Sequence, residues 1–297
     1  MNSSKFYPFT GLVDDDSDYL MGCYSFAERI SFGPNHPFAI TEKNAIDIVK
    51  NNARRIVGEV SLKQQTGEIL DLHNSSQVIH AYNIFVEEGA ILENCTLNAS
   101  EGPIYIAKGC KIMDGAILRG PIFIDENSVI KMGATIYGGT SIGKHCIVGG
   151  EVKNSIINNY SNKAHHGYLG DSIIGKWCNL GAGTSNSNVK NNGSDVIVKL
   201  GDEEINAGNK FGLLMGDYSR CAINTSFNTG TVVGTCCNIF AEGLTPKYIP
   251  SFSWGCNGEK YQLPKAFTDI ENWKKMKGEM LTEKEKEYLK KYTPTKH

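Results

Sequence analysis

Isoleucine, leucine or valine occupies eight positions spaced six residues apart: Ile106, Ile112, Leu118, Ile124, Ile130, Ile136, Ile142 and Val148. Four residues after each stands Cys110, Ala116, Ile122, Ser128, Ala134, Thr140, Cys146 or Val152, most of them small. A second run, Met215, Cys221, Phe227, Val233 and Ile239, keeps the same step. A helix repeats about every 3.6 residues and a strand every two, so neither sustains a period of six. One flat side of a coil plus its corner does. Three such steps close one turn of a triangular solenoid, a parallel β-helix built of very short strands. The 32 glycines against 9 prolines suit repeated tight corners rather than disorder.

With 297 residues and a formal net charge of -2, the chain carries nothing that implies bulk attraction to nucleic acid or to an anionic membrane. No apolar run reaches the length of a bilayer span. The first twenty residues lack a basic head followed by an apolar core, so no signal peptide is expected. Nine cysteines are an odd number, and Cys110, Cys146, Cys178 and Cys237 all follow a repeat hydrophobe by four residues. They read as packed thiols inside the coils, in a reducing, cytoplasmic setting, rather than as a disulfide framework.

Along the chain, residues 1–75 lack the rhythm and form a short, partly irregular N-terminal region. It holds one helix around 45–57 with Lys50, Arg54 and Arg55 facing solvent. Residues 76–243 form the β-helix. The pattern breaks locally across 151–167 and again across 185–209, a stretch rich in Asn, Gly and Asp that reads as an inserted loop projecting to one side. Residues 244–297 form a helical tail, with an amphipathic helix over 263–276 and a second from the N-cap Thr282 to about Tyr292. The tail is expected to cap the open end of the solenoid and to present its lysines to solvent.

The chemistry-bearing string is Asn162-Lys163-Ala164-His165-His166-Gly167-Tyr168-Leu169-Gly170-Asp171, followed by Asn179-Leu180-Gly181-Ala182-Gly183-Thr184. With Asn209-Lys210-Phe211, it resembles the glucosamine-1-phosphate N-acetyltransferase domain of the bifunctional bacterial enzymes that form UDP-N-acetylglucosamine. The similarity runs over roughly 89–243. The Trp177-Cys178-Asn179-Leu180 wording and Ser251-Phe252-Ser253-Trp254-Gly255 resemble a variant branch from Bacteroidetes-type bacteria that lacks the nucleotidyltransferase domain. The resemblance implies an all-β, left-handed parallel β-helix, acetyl-CoA as co-substrate, an amino-sugar phosphate as acceptor and a homotrimer sharing its pockets between subunits. By position it makes His165 the catalytic base and places Asn188 beside the reacting amine and acetyl group. Lys153, Tyr168, Asn179 and Lys210 become sugar-phosphate contacts, and Ala182 and Ala241 lie against the coenzyme. The residue types suit the reaction. An ammonium must lose a proton before it attacks a thioester, and a neutral imidazole titrates in the right range to take it. Lysines balance the phosphate, and a backbone N–H is the expected oxyanion donor.

Two departures qualify the match. Where the family has an arginine on the sugar phosphate, this chain has Thr135, and residues 1–75 are too short for a nucleotidyltransferase domain and contain no Gly-rich loop. Uridylyl transfer is therefore not expected, and a separate nucleotidyltransferase partner is conceivable. The competing reading is a non-catalytic trimeric scaffold. A zinc hydratase on the same fold needs three converging histidines, whereas only His145, His165 and His166 lie in the coils and two of them are adjacent, so no metal is expected. Gly139-Thr140-Ser141-Ile142-Gly143-Lys144 is not a phosphate-binding loop, because Ile142 is in phase with the repeat and His145 follows the lysine.

Overall fold

In the computed structural model, which describes residues 6–9, 18–32, 36, 39–63 and 76–293, the six-residue step becomes a three-sided parallel β-solenoid. The turns from Gln77 to Gly170 each contribute one short strand to a six-stranded, a nine-stranded and a ten-stranded face, in that order along the chain; in later turns the first side continues as a separate pair, Ser185–Asn186 with Ser226–Phe227. Strands stack in register on the coil below: Ile104, Ile122 and Thr140 align on the nine-stranded face, and Lys111, Val129 and Ile147 on the ten-stranded one. The repeat hydrophobes point inward and fill one continuous core, from Ile84 to Ile249. The cysteines that follow them are buried and free, and the thiols of Cys110, Cys146, Cys178 and Cys237 donate to carbonyls of a neighbouring coil. Burial holds those four thiols well above their ordinary pKa.

The segment 151–167 does not interrupt the solenoid. Strands Glu151–Lys153, Ile156–Ile157 and Asn162–Lys163 take their places on the three faces. Only the corners shorten, so the inward residues fall at Val148, Val152, Ile157 and Lys163 instead of every six. The inserted stretch is likewise not a free projection. Strands Ile197–Leu200 and Glu203–Asn206 pair as an antiparallel hairpin. Val196, Val198 and Leu200 from it are fully buried against the outer side of the nine-stranded face, together with Leu214 and Val232.

The rest of that outer side is covered by the N-terminal region. Helix α1 (Phe26–Ser31) carries a Ser25/Glu28 capping box. Helix α2 (Ala45–Lys63) is longer than expected, and its apolar stripe of Ile46, Ile48, Val49, Ile56 and Val60 joins Tyr105, Phe123, Ile156 and Ile173 of the solenoid. Lys50 and Arg54 do face solvent, but Arg55 does not: it is 7% exposed and pairs with Glu42. Arg29 and Glu59 pair at 2.8 Å beside it, so this region buries charges only as partners.

Helices α3 (Leu263–Lys275) and α4 (Glu283–Lys290, with a Thr282/Glu285 capping box) form the tail. They lie along the coils rather than across the open end. Ala266, Ile270, Leu281 and Leu289 pack on Tyr218, Cys236 and Phe252 at the corner between the nine- and ten-stranded faces. Two tail lysines expected in solvent are structural. Lys274 is buried against Glu285, and the Lys277 ammonium donates to the carbonyls of His145 and Tyr160 and to the Asn162 side chain at 2.8, 3.0 and 3.0 Å. Among the described residues no helix is long and apolar enough to cross a membrane.

Candidate active site

The corner that leads from the ten-stranded to the six-stranded face carries His165. It begins at Lys163, the last residue of its strand, and ends at Tyr168, the first of the next. The coil above makes the same turn with only Gly149 and Gly150 between Val148 and Glu151. That tight turn requires Gly150: its φ is +70°, and a Cβ there would sit 2.7 Å from the His165 carbonyl oxygen. On the other side the Gly183 N–H donates to the His166 carbonyl at 3.1 Å, and the Tyr168 N–H to Ser185 Oγ at 3.1 Å. The corner backbone is thus held from above and below, while both imidazoles are exposed.

A further contact comes from inside. Lys163 occupies an inward position between Val148 and Leu180, in a column otherwise apolar, and is 2% exposed. Its ammonium donates to the carbonyls of Gly149, 3.0 Å away, and of His165, 2.6 Å away. Burial lowers its pKa to about 8. These two carbonyls, one from each of two stacked corners, are reached by a long buried donor. Lys163 was not among the residues singled out from sequence. Its signal is a lysine at a position that the neighbouring coils fill with hydrophobes.

Beside the corner, on the six-stranded face, two expected residues, Tyr168 and Asn188, meet Asp171, to which the resemblance assigns no role. Asn188 Nδ2 donates to Tyr168 Oη at 3.0 Å and to Asp171 Oδ2 at 2.6 Å, and Asn154 Nδ2 donates to the other Asp171 oxygen at 2.7 Å. Burial first, then the Asp171 charge, pushes the Tyr168 hydroxyl up to about 12, so it stays protonated at neutral pH. Asp171 sits in the left-handed region at φ +49°, next to Gly170, which stands in register with Lys153. The Phe211 N–H donates to the Asn188 carbonyl at 2.9 Å, which brings the exposed Lys210 to the same edge. Lys153 is exposed and lies 5.7 Å from the Tyr137 ring centroid. Thr135 stands between Ile117 and Glu151 in register, and the arginine on this face is Arg119, paired with Glu101 at 3.3 Å. The group therefore offers lysines for an anion, a carboxylate for a cation and fixed hydroxyl and amide dipoles.

Asn179 lies round the corner, on the ten-stranded face, in register between Asn162 and Arg220. Ala182 belongs to the His165 corner one coil further on, where its carbonyl accepts from the Asn224 N–H at 2.7 Å. Ala241 lines a cavity of about 780 Å³ with Phe240, Leu244 and Cys256. His145 stacks on Tyr160 at 4.8 Å on a different corner. Among the described residues no group of three or more His, Cys, Asp or Glu side chains is placed to hold a metal ion.

No family profile matches the chain. The chain is similar to proteins named bifunctional GlmU. That of Methanocaldococcus jannaschii is 32% identical over 161 residues, covering 48% of this chain and 40% of the relative. That of Wigglesworthia glossinidia brevipalpis is 28% identical over 216 residues, covering 68% and 43%. The chain thus spans about two fifths of the length of these relatives. An Arabidopsis UDP-N-acetylglucosamine acyltransferase structure aligns at 15% identity and a TM-score of 0.26, covering 62% of this chain and 72% of that one. A superposition that loose adds nothing to the fold described above.

Proposed function

We propose that the protein is an acetyl-CoA-dependent N-acetyltransferase acting on an amino-sugar phosphate such as glucosamine 1-phosphate. The observation that carries this reading is an exposed imidazole, His165, on a backbone fixed by Gly150, Lys163 and Gly183, beside the Tyr168, Asn188 and Asp171 group. Kinship with bifunctional GlmU proteins supports it.

In this reading Lys153 and Lys210 balance the sugar phosphate, and Asp171 with the Asn188 amide orients the amine. His165 removes the ammonium proton. The free amine attacks the thioester carbonyl carbon, a C–N bond forms and the carbonyl becomes an oxyanion. Collapse breaks the C–S bond, the nitrogen releases its second proton to solvent as the amide forms, and the thiolate takes the proton from the imidazolium to leave as free coenzyme A. Tyr168, protonated at neutral pH, donates to the sugar. Ala182 and Ala241 mark the corner along which the coenzyme lies. Three copies assemble around the solenoid, so that Asn179, on the adjoining face, serves a neighbour's pocket.

The test is direct. Purified protein with acetyl-CoA and glucosamine 1-phosphate should release thiol, measured by a chromogenic disulfide. His165→Ala should lower the rate by roughly 10² to 10⁴, the span of general-base contributions. Turnover in that variant equal to wild type removes His165 from the mechanism, and no turnover in the wild type removes the reaction.

A further inference from the structure

The outward residues of the ten-stranded face run Asn162, Asn179, Arg220, Asn238, Trp254 down the coils in register. Arg220 is the cation of this column, and α3 lies over it. Its guanidinium stands 5.1 Å from the centroid of the Trp273 ring. Its Nε is sealed from solvent and meets no acceptor. Among the described residues no carboxylate pairs with it within salt-bridge distance. The nearby Asp269 instead accepts from Tyr261 Oη. Elsewhere in the molecule buried guanidinium groups are matched, Arg29 to Glu59 and Arg55 to Glu42. Arg220, half-buried, has no such carboxylate partner, and burial lowers its pKa.

The space beside it is shaped for a ligand. A cavity of about 160 Å³ lies between strand and helix, lined by Arg220, Asn238, Tyr261, Asp269, Asn272 and Trp273. The pocket is open to solvent on one side, and its volume is ample for a small oxyanion. A guanidinium fork binds oxyanions in two parallel hydrogen bonds, and the amides of Asn238 and Asn272 add donors from the coil and from α3. We propose that this cavity binds a small tetrahedral oxyanion of the phosphate class, which bridges α3 to the solenoid. The site is separate from the His165 corner and does not depend on the acetyl-transfer reading.

Phosphate stabilises most proteins weakly by exclusion from their surface, so the test must isolate a saturable response. The melting temperature of the full chain is measured against inorganic phosphate at constant ionic strength, with chloride as the balancing salt. The wild type should show a saturable rise, and Arg220→Met should keep only the unsaturable slope. Asp269→Asn removes a negative charge from the lining and should tighten phosphate several-fold, a gain that does not depend on how Arg220→Met folds. A wild type without a saturable rise, an Arg220→Met response equal to wild type, or an Asp269→Asn variant that binds no better would each overturn the proposal.

Discussion

Replacing Lys163 with Met should make the stability gap between variant and wild type depend on pH in a calculable way. Burial lowers the Lys163 pKa from 10.5 to about 8. The unfolded chain keeps its proton to the higher value, so between these limits the unfolded state binds more protons and wild-type stability rises with pH. Below about 8 the lysine is charged in both states and the whole penalty is present; above 10.5 it is neutral in both and the penalty is gone. A difference of 2.5 units at about 1.4 kcal/mol each amounts to roughly 3 kcal/mol. Met carries no such term, but it leaves the Gly149 and His165 carbonyls without their donor, which costs roughly 1–3 kcal/mol apiece. At pH 7.5 the two effects largely cancel, and the variant should lie within about 3 kcal/mol of wild type. By pH 10 the gap should have widened by most of the 3 kcal/mol. Urea midpoints in the presence of reductant, followed by tryptophan fluorescence at several pH values, give the gap directly. The buried thiols, whose raised pKa values make stability fall above about pH 9, act in both proteins and cancel in the difference. A gap that stays flat or narrows with rising pH would refute the assignment of a buried, charged Lys163 at neutral pH.

Two further substitutions probe the same architecture. Gly150→Ala places a Cβ 2.7 Å from the His165 carbonyl at a φ of +70°. It should destabilise by roughly 1–3 kcal/mol and reduce kcat more than KM, because the imidazole corner moves. Stability by denaturation and steady-state kinetics check both parts. Lys277→Met removes the donor to the His145 and Tyr160 carbonyls and to Asn162. Limited proteolysis should then cut the turn between α3 and α4 sooner, with the solenoid intact; unchanged cleavage would show that the apolar contacts alone hold the tail.

The solenoid was legible because a period of six has a single simple geometric meaning, and the residues that carry it, from Ile106 to Val148, are all buried in one core. Tyr168, Asn188 and Lys210 were named together only through resemblance, since they reach one edge after three strands and a hairpin intervene, and Asp171, which joins them, was not named. Side-chain exposure was less legible. Arg55, Lys274 and Lys277 read as solvated charges because their partners, Glu42, Glu285 and the backbone carbonyls near His145 and Tyr160, lie far enough along the chain that no local pattern announces them. The 185–209 stretch read as a free loop because its composition is polar. Yet Val196, Val198 and Leu200 alternate with Ile197 and Lys199, the period of a strand with one buried face.

The most informative failure is the apparent break across 151–167. Counting six from Val148 lands on Asn154, whereas the coil's next inward residue is Val152. The two-residue turn at Gly149–Gly150 puts the sequence out of phase with its own repeat while leaving the coil closed. The Gly149 carbonyl of that turn and the His165 carbonyl of the corner stacked on it both accept from the Lys163 ammonium, and a lysine in an apolar column is the fold's answer to them. A purely apolar repeat at this level would leave those oxygens unsatisfied. Regular coils therefore supply a rigid frame, and the corner one coil beyond the shortened turn carries a histidine whose backbone is fixed by glycine above, an N–H below and an ammonium within. Agreement between local pattern and global fold is expected to lapse at functional sites. Here the shortened turn at Gly149–Gly150 stacks directly on the corner that carries His165.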